Sequence, residues 1–215
     1  EKFQAWGMNS QSSLRGRPVL ALHGWLDNSN SFLELAPALA ESGFLVVAID
    51  WPGHGRSQHR SLDASYLATD LPWYAAEAAR QLKWSRFGVL GHSMGAAAAS
   101  LMAGSHYPSR DALVALCCIE MLGPLSKASG KSGQHLLEGL QRRAKYLQRR
   151  LRGSHKVYES LEDCVEARLQ SVKAWPGQQR LTTQSAQRLV ARGTTLGDDG
   201  WHFSHDMRLN SPSLS

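Results

Sequence analysis

The segment Gly91-His92-Ser93-Met94-Gly95 constrains this chain more than any other. It follows Phe87-Gly88-Val89-Leu90, a short apolar run without alternation, and leads into an alanine-rich stretch from Met94 to Ala103. The first reads as a strand buried on both faces, the second as a helix packed closely on it. A glycine on each side of the serine lets strand and helix pass where side chains would clash. The predicted turn therefore lifts Ser93 above the carboxyl edge of a sheet, in the manner of a nucleophile elbow. There the hydroxyl stands at a helix N-terminus, whose dipole favours a developing negative charge. A serine that only caps an ordinary strand-to-helix turn is the plainer alternative. The strand-turn-helix context favours the nucleophile.

Two further buried-type strands come earlier, Pro18 to Leu22 and Phe44 to Ile49. Between them Phe32, Leu35, Ala36 and Leu39 recur at helical spacing, which predicts a helix over 31–41 stopped by Gly43. A second helix is expected from about Asp70 to Leu82, with Pro72 confined to its first turn. A last apolar run spans Ala112 to Ile119. Strand and helix thus alternate, which predicts an α/β fold with a mostly parallel sheet. After Pro124 the pattern turns helical: Leu136, Leu140, Leu147 and Leu151 share a face with Ala144. Further amphipathic helices are expected over 160–172 and 183–191.

The first strand runs into His23-Gly24-Trp25. Beside an elbow, such a loop supplies one backbone N–H to an oxyanion hole, and Met94 supplies the other. The segment Asp50 to Ser57, after the second strand, reads as architecture beside the site. Glu120, at the end of the strand that follows the elbow helix, is a candidate triad acid. Its alternative is an acid at a strand end that meets solvent or an arginine.

Composition narrows the classes. The chain has 215 residues, 42% apolar and 20% charged, with a net charge of +6. Eight Lys or Arg against Glu138 between Lys127 and Arg152 account for that excess, so the rest is near neutral. One basic amphipathic helix on a neutral body reads as a solvated face, with an anionic partner as the alternative and no nucleic acid expected. Three cysteines, two of them adjacent at Cys117 and Cys118, give no disulfide framework and suggest a reducing, cytoplasmic setting. The weakly polar stretch from Gly88 to Gly104 is interrupted too often to cross a membrane. No secretory leader is visible, and a first residue of Glu1 suggests a processed or partial chain.

The strings VLALHGWLDNSNSF (19–32), VVAIDWPGHGRS (46–57) and LGHSMGAAAASLMAG (90–104) resemble the α/β-hydrolase superfamily. The string from Leu22 to Asn28 and that from Gly123 to Ser126 resemble the serine hydrolase-like proteins and their bacterial relatives more narrowly. VYESLEDCVEARL (157–169), LVARGT (189–194) and FSHDMRL (203–209) resemble that group's cap. The resemblance implies nucleophilic Ser93, an oxyanion hole from Trp25 and Met94, a small-molecule acyl substrate, and neither metal nor organic cofactor. It also implies a partial core over 1–124, a helical cap over 125–209 and a return to the core at 210–215. Cytoplasmic placement follows, with peroxisome or vesicle association also in the group's range; Ser213-Leu214-Ser215 matches the peroxisomal tripeptide poorly.

A serine nucleophile needs a base and an acid to orient it, in the chain order Ser, acid, His. In the resembled family the His comes from strands and helices after the Asp206-Met207-Arg208-Leu209 string. On that reading the C-terminal strands are absent here, and Phe3 to Gly7 is the end of an early strand without its hairpin partner. His202 and His205 alone follow Ser93 at a suitable distance, and both are expected on the cap surface. With Asp206 they suggest a metal site, which a missing fourth ligand argues against. Trp25, Trp175 and Trp201 are candidates to line an apolar acyl or alcohol pocket. The alternative function is a non-catalytic scaffold that keeps the pocket without the base. A sheet ending at its middle strands exposes an apolar edge, which invites aggregation or pairing with a partner such as a second copy of the chain.

Overall fold

The computed structural model describes residues 3–10, 13–123, parts of 134–148, 156–173 and 179–210. Its sheet has five strands in the order β1-β5-β4-β6-β7: β1 (Phe3–Trp6), β5 (Phe44–Ile49), β4 (Arg17–Leu22), β6 (Phe87–His92) and β7 (Leu113–Ile119). β4, β5, β6 and β7 run parallel, and β1 lies antiparallel along β5, with Phe3 opposite Ile49. The predicted early strand is therefore an edge strand of this sheet. A separate small hairpin joins β2 (Met8–Ser10) to β3 (Ser13–Arg15).

Alternation along β4 fills both layers. Leu20 and Leu22 point to one face, under α2 (Leu71–Gln81) and α3 (Met94–Ser105), with Ala75, Ala79, Ala98, Ala99 and Met102. Ala21 points to the other, with Phe32, Ala36, Val46 and Ala48 beneath α1 (Leu35–Glu41). The predicted helix over 31–41 is split into a 3-10 turn, Ser29–Phe32, and α1. Pro37 explains the break: it has no N–H to offer Leu33, and its ring excludes that carbonyl from a continuous helix. Pro72 falls in the first turn of α2, where its missing N–H costs no bond.

The later segment has its own small core. Cys164, Val165, Ala186 and Val190 are buried between α4 (Leu161–Lys173) and α5 (Thr183–Gly193), with Trp201 and Phe203 against them. Ser160 and Asp163 cap α4 reciprocally, and Thr182 caps α5 by accepting from the Ser185 N–H. Contrary to the expectation of a wholly helical cap, β8 (Thr194–Gly197) and β9 (Gly200–Phe203) form an antiparallel hairpin. Asp198 and Asp199 make a two-residue loop between glycines, and Gly200 has φ +130°. The basic segment's Arg142, Arg143, Arg149, Arg150 and Arg152, the boundary near Pro124, and Trp175 lie outside the described residues.

A buried ion pair docks this segment on the core. Arg192 Nε donates to Asp50 at 2.9 Å, and both side chains are almost fully enclosed. Farther along, Arg208 donates to the carbonyls of Arg60, Ser61 and Ala64 and to the Asp206 carboxylate. No helix among the described residues is long and apolar enough to cross a membrane.

Candidate active site

The chain goes from β4 to β5 on one side and to β6 on the other. The carboxyl ends of the neighbours β4 and β6 therefore form the switch point at which α/β folds place ligands. Between β6 and α3, Ser93 has φ 50° and ψ −115°, a conformation that costs a non-glycine residue on the order of 1–3 kcal/mol. Two backbone bonds hold it: Ser93 N–H to Ile119 O at 3.1 Å, and Ala97 N–H to Ser93 O at 3.0 Å. The flanking glycines follow from contact distances. A Cβ on Gly91 would stand 2.5 Å from Gly95 O, and one on Gly95 would overlap the Leu22 carbonyl of β4.

The loop after β4 comes equally close. A Cβ on Gly24 would meet Nδ1 of His92 at 2.9 Å and Cβ of Ser93 at 3.3 Å. Asp27 N–H closes a turn onto Gly24 O at 3.2 Å, and Leu26 within it has φ 60°. His23 fixes the base of this loop. Its Nε2 accepts the Trp51 N–H at 3.1 Å, so Nδ1 carries the proton and faces Gly24 O at 2.7 Å. Complete burial pushes its pKa down to about 3, so it stays a neutral strut between β4 and β5.

Ser93, Met94, Trp25 and Glu120 all line one cavity of about 360 Å³. Its walls are mainly apolar, with Leu67, Leu71, Tyr74 and Leu101 on one side; Asp27, Arg168 and Gln179 give it a polar side. Glu120 is partly exposed with φ 74°, and its carboxylate accepts from Gln179 at 3.2 Å. Oε2 lies 3.4 Å from Nε2 of His92, whose Nδ1 lies 3.9 Å from Asp27. The histidine facing Glu120 is thus the residue preceding Ser93 in sequence. Burial raises the Asp27 pKa, opposed mainly by Arg168, which donates to its carboxylate.

The later histidines go elsewhere. His202 pairs with Asp199 in the β8–β9 hairpin at 2.6 Å. His205, expected on the surface, is largely withdrawn from solvent and lines a separate small hollow beside Leu189 and Phe203; burial lowers its pKa to about 4. Asp206 is also buried, because Tyr66 donates to it at 2.8 Å and Arg208 pairs with it. Trp201 packs in the cap cluster rather than against the cavity, whose tryptophans among the described residues are Trp25 and Trp51. No group of three His, Cys, Asp or Glu among the described residues is placed to hold a metal. Asp27 and Arg168 are the site residues that sequence reasoning passes over. They stand 141 positions apart, and only the docking of α4 brings them together.

An elbow serine at the switch point of a mostly parallel sheet defines a class, and comparison agrees. A family model described as the alpha/beta hydrolase fold matches residues 17–183, and the chain belongs to that family. It is 33% identical over 213 residues to a serine hydrolase-like protein of Dictyostelium discoideum, covering 98% of this chain and 55% of that one. It is 34% identical to a serine hydrolase-like protein of Danio rerio, covering 98% and 60%. The chain thus spans somewhat over half the length of these relatives. Among solved structures, a hypothetical protein of Pseudomonas aeruginosa PAO1 superposes with a TM-score of 0.82 at 38% identity, covering 99% of this chain and 68% of the other.

Proposed function

We propose that this chain carries the nucleophile of a serine hydrolase that cleaves an ester or related acyl bond of a small molecule through Ser93. The observation that carries the reading is the strained Ser93 turn at the wall of a mainly apolar cavity, with Trp25 and Met94 beside it. In this mechanism Ser93 Oγ attacks the acyl carbon and gives up its proton, through a general base, to the departing oxygen. The Trp25 and Met94 N–H groups receive the charge that develops on the carbonyl oxygen, the alcohol leaves, and water releases the acyl group. Glu120 is the proposed acid. The serine hydrolase-like relatives support the class of reaction. Leu67, Leu71, Tyr74 and Leu101 would hold an apolar acyl or alcohol group.

A second reading is a scaffold that keeps the pocket without catalysing. It draws on the two histidines expected at a suitable distance after Ser93: His202 is engaged by Asp199, and His205 lies in a different hollow. The test is turnover of a short p-nitrophenyl ester by the chain and by Ser93→Ala. Multiple turnovers that vanish in Ser93→Ala support the hydrolase. A folded, soluble chain with no Ser93-dependent turnover means that the elbow here is a nucleophile without its base.

A further inference from the structure

The turn that carries Trp25 is held largely from the cap. Within the loop, Asp27 N–H bonds to Gly24 O, Ser31 Oγ reaches Asp27 at 3.3 Å, and Asn28 Oδ1 accepts the Asn30 N–H at 3.0 Å. Three further attachments come from α4 and α5. Arg168 donates to the Asp27 carboxylate. Asn28, almost fully buried, donates from Nδ2 to Leu189 O at 2.9 Å. Asp50, which accepts the Ser29 N–H at 2.8 Å, is itself paired with Arg192. Every residue from Asp27 to Ser29 is thus bonded, directly or through Asp50, to a helix more than 130 positions later.

We propose that the cap sets the oxyanion loop: Arg168, through Asp27, and α5, through Asn28, hold the Gly24–Asn28 turn in the conformation that presents the Trp25 N–H to the cavity. This rests on the reading of Trp25 as an oxyanion donor. Arg168 and Asn28 are positioning residues, acting on a reacting oxygen through a backbone amide they do not themselves form. Leu26 at φ 60° shows why the turn needs outside support, since an L residue disfavours that conformation. Asp27 is enclosed, so loss of Arg168 leaves a carboxylate short of its strongest partner; turning toward water would carry the loop with it. Cap position then governs the rate of the chemical step as well as substrate selection.

The test is amide hydrogen exchange in the intact protein, wild type against Arg168→Met, Arg168→Lys and Asp27→Asn. Arg168→Met is expected to speed exchange over 24–28 by roughly tenfold or more, the scale of losing one charge-assisted bond, while β4 and β6 stay as protected as before. Arg168→Lys should recover much of that protection. The double variant Asp27→Asn, Arg168→Met should exchange no faster in this loop than the faster single variant. Wild-type exchange over 24–28 in Arg168→Met would overturn the proposal, as would a loss of protection shared equally by β4 and β6. Because exchange needs no turnover, this result decides the clasp even if Ser93 proves inactive. If the ester is turned over, Arg168→Met should lower kcat about tenfold. A change in KM alone would also overturn it.

Discussion

β4 and β7 are the two neighbours of β6, and both are apolar runs, yet they meet the solvent differently. Leu20, Ala21 and Leu22 of β4 are wholly buried, whereas Val114 of β7 is 51% exposed and Ile119 40%. The difference lies in position: β4 has a strand on each side and helices on both faces, while β7 is the edge of the described sheet. Apolar composition therefore marks a strand as fit for burial, and only its neighbours determine whether it is buried. Chemistry follows the same division. The tight seam where β4, β6 and α3 meet carries Gly24, Ser93 and Met94, while the open side carries Glu120 at the end of β7.

The seam should be the less forgiving side. Gly95→Ala places a Cβ on the Leu22 carbonyl, with rigid backbone on both sides and no side chain able to yield. We expect about 3 kcal/mol of destabilisation or more, the upper end for overpacking, or no folded protein, measured by urea unfolding. A loss below about 1 kcal/mol would mean that α3 can lift away from β4. Asp50→Asn should cost a similar or slightly smaller amount, about 3–5 kcal/mol, because it leaves Arg192 buried without its charge partner.

Acid should act through buried histidines of both segments. His23 and His54 are held near pKa 3 and His205 near 4, each chiefly by burial, against 6.5 for an unfolded histidine. The unfolded chain therefore binds these protons first. Their contribution to stability is complete above about pH 6.5 and is lost progressively as pH falls, until the folded rings protonate near pH 4 for His205 and near pH 3 for His23 and His54. With all three histidines engaged, the slope of unfolding free energy approaches about 4 kcal/mol per pH unit near pH 5. Denaturant midpoints across that window measure it. A flat response between pH 6.5 and 5 would show that these rings already carry protons in the fold.

What could be read in the sequence divides along similar lines. The elbow is legible because its requirement is local: two glycines, one serine, a strand before and an alanine-rich helix after. The start of α2 was likewise marked, by Pro72. The β8–β9 hairpin also had a local sign, two aspartates between glycines, but helical periodicity on its N-terminal side masked it. The Asp27–Arg168 and Asp50–Arg192 pairs had none. Their partners lie 141 and 142 positions apart, and nothing near Arg168 distinguishes it from the other cations of an amphipathic helix.

The smallest expected effect sharpens the comparison most. Leu116, at the middle of β7, is 39% exposed, and lysine there can carry its charge into water along an aliphatic stem. Leu116→Lys should change the stability of this chain by no more than about 0.5 kcal/mol, against about 2–5 kcal/mol for Leu20→Ala on β4. It should also reduce self-association, because a lysine charge on an edge strand opposes pairing with a second copy. Sedimentation of the two proteins over a concentration series reads this directly. A fall in association at unchanged stability marks β7 as an open edge in the isolated chain. A large loss of stability would instead mean that Leu116 is covered in solution, and that the contrast between the two neighbours of β6 is smaller than their exposures indicate.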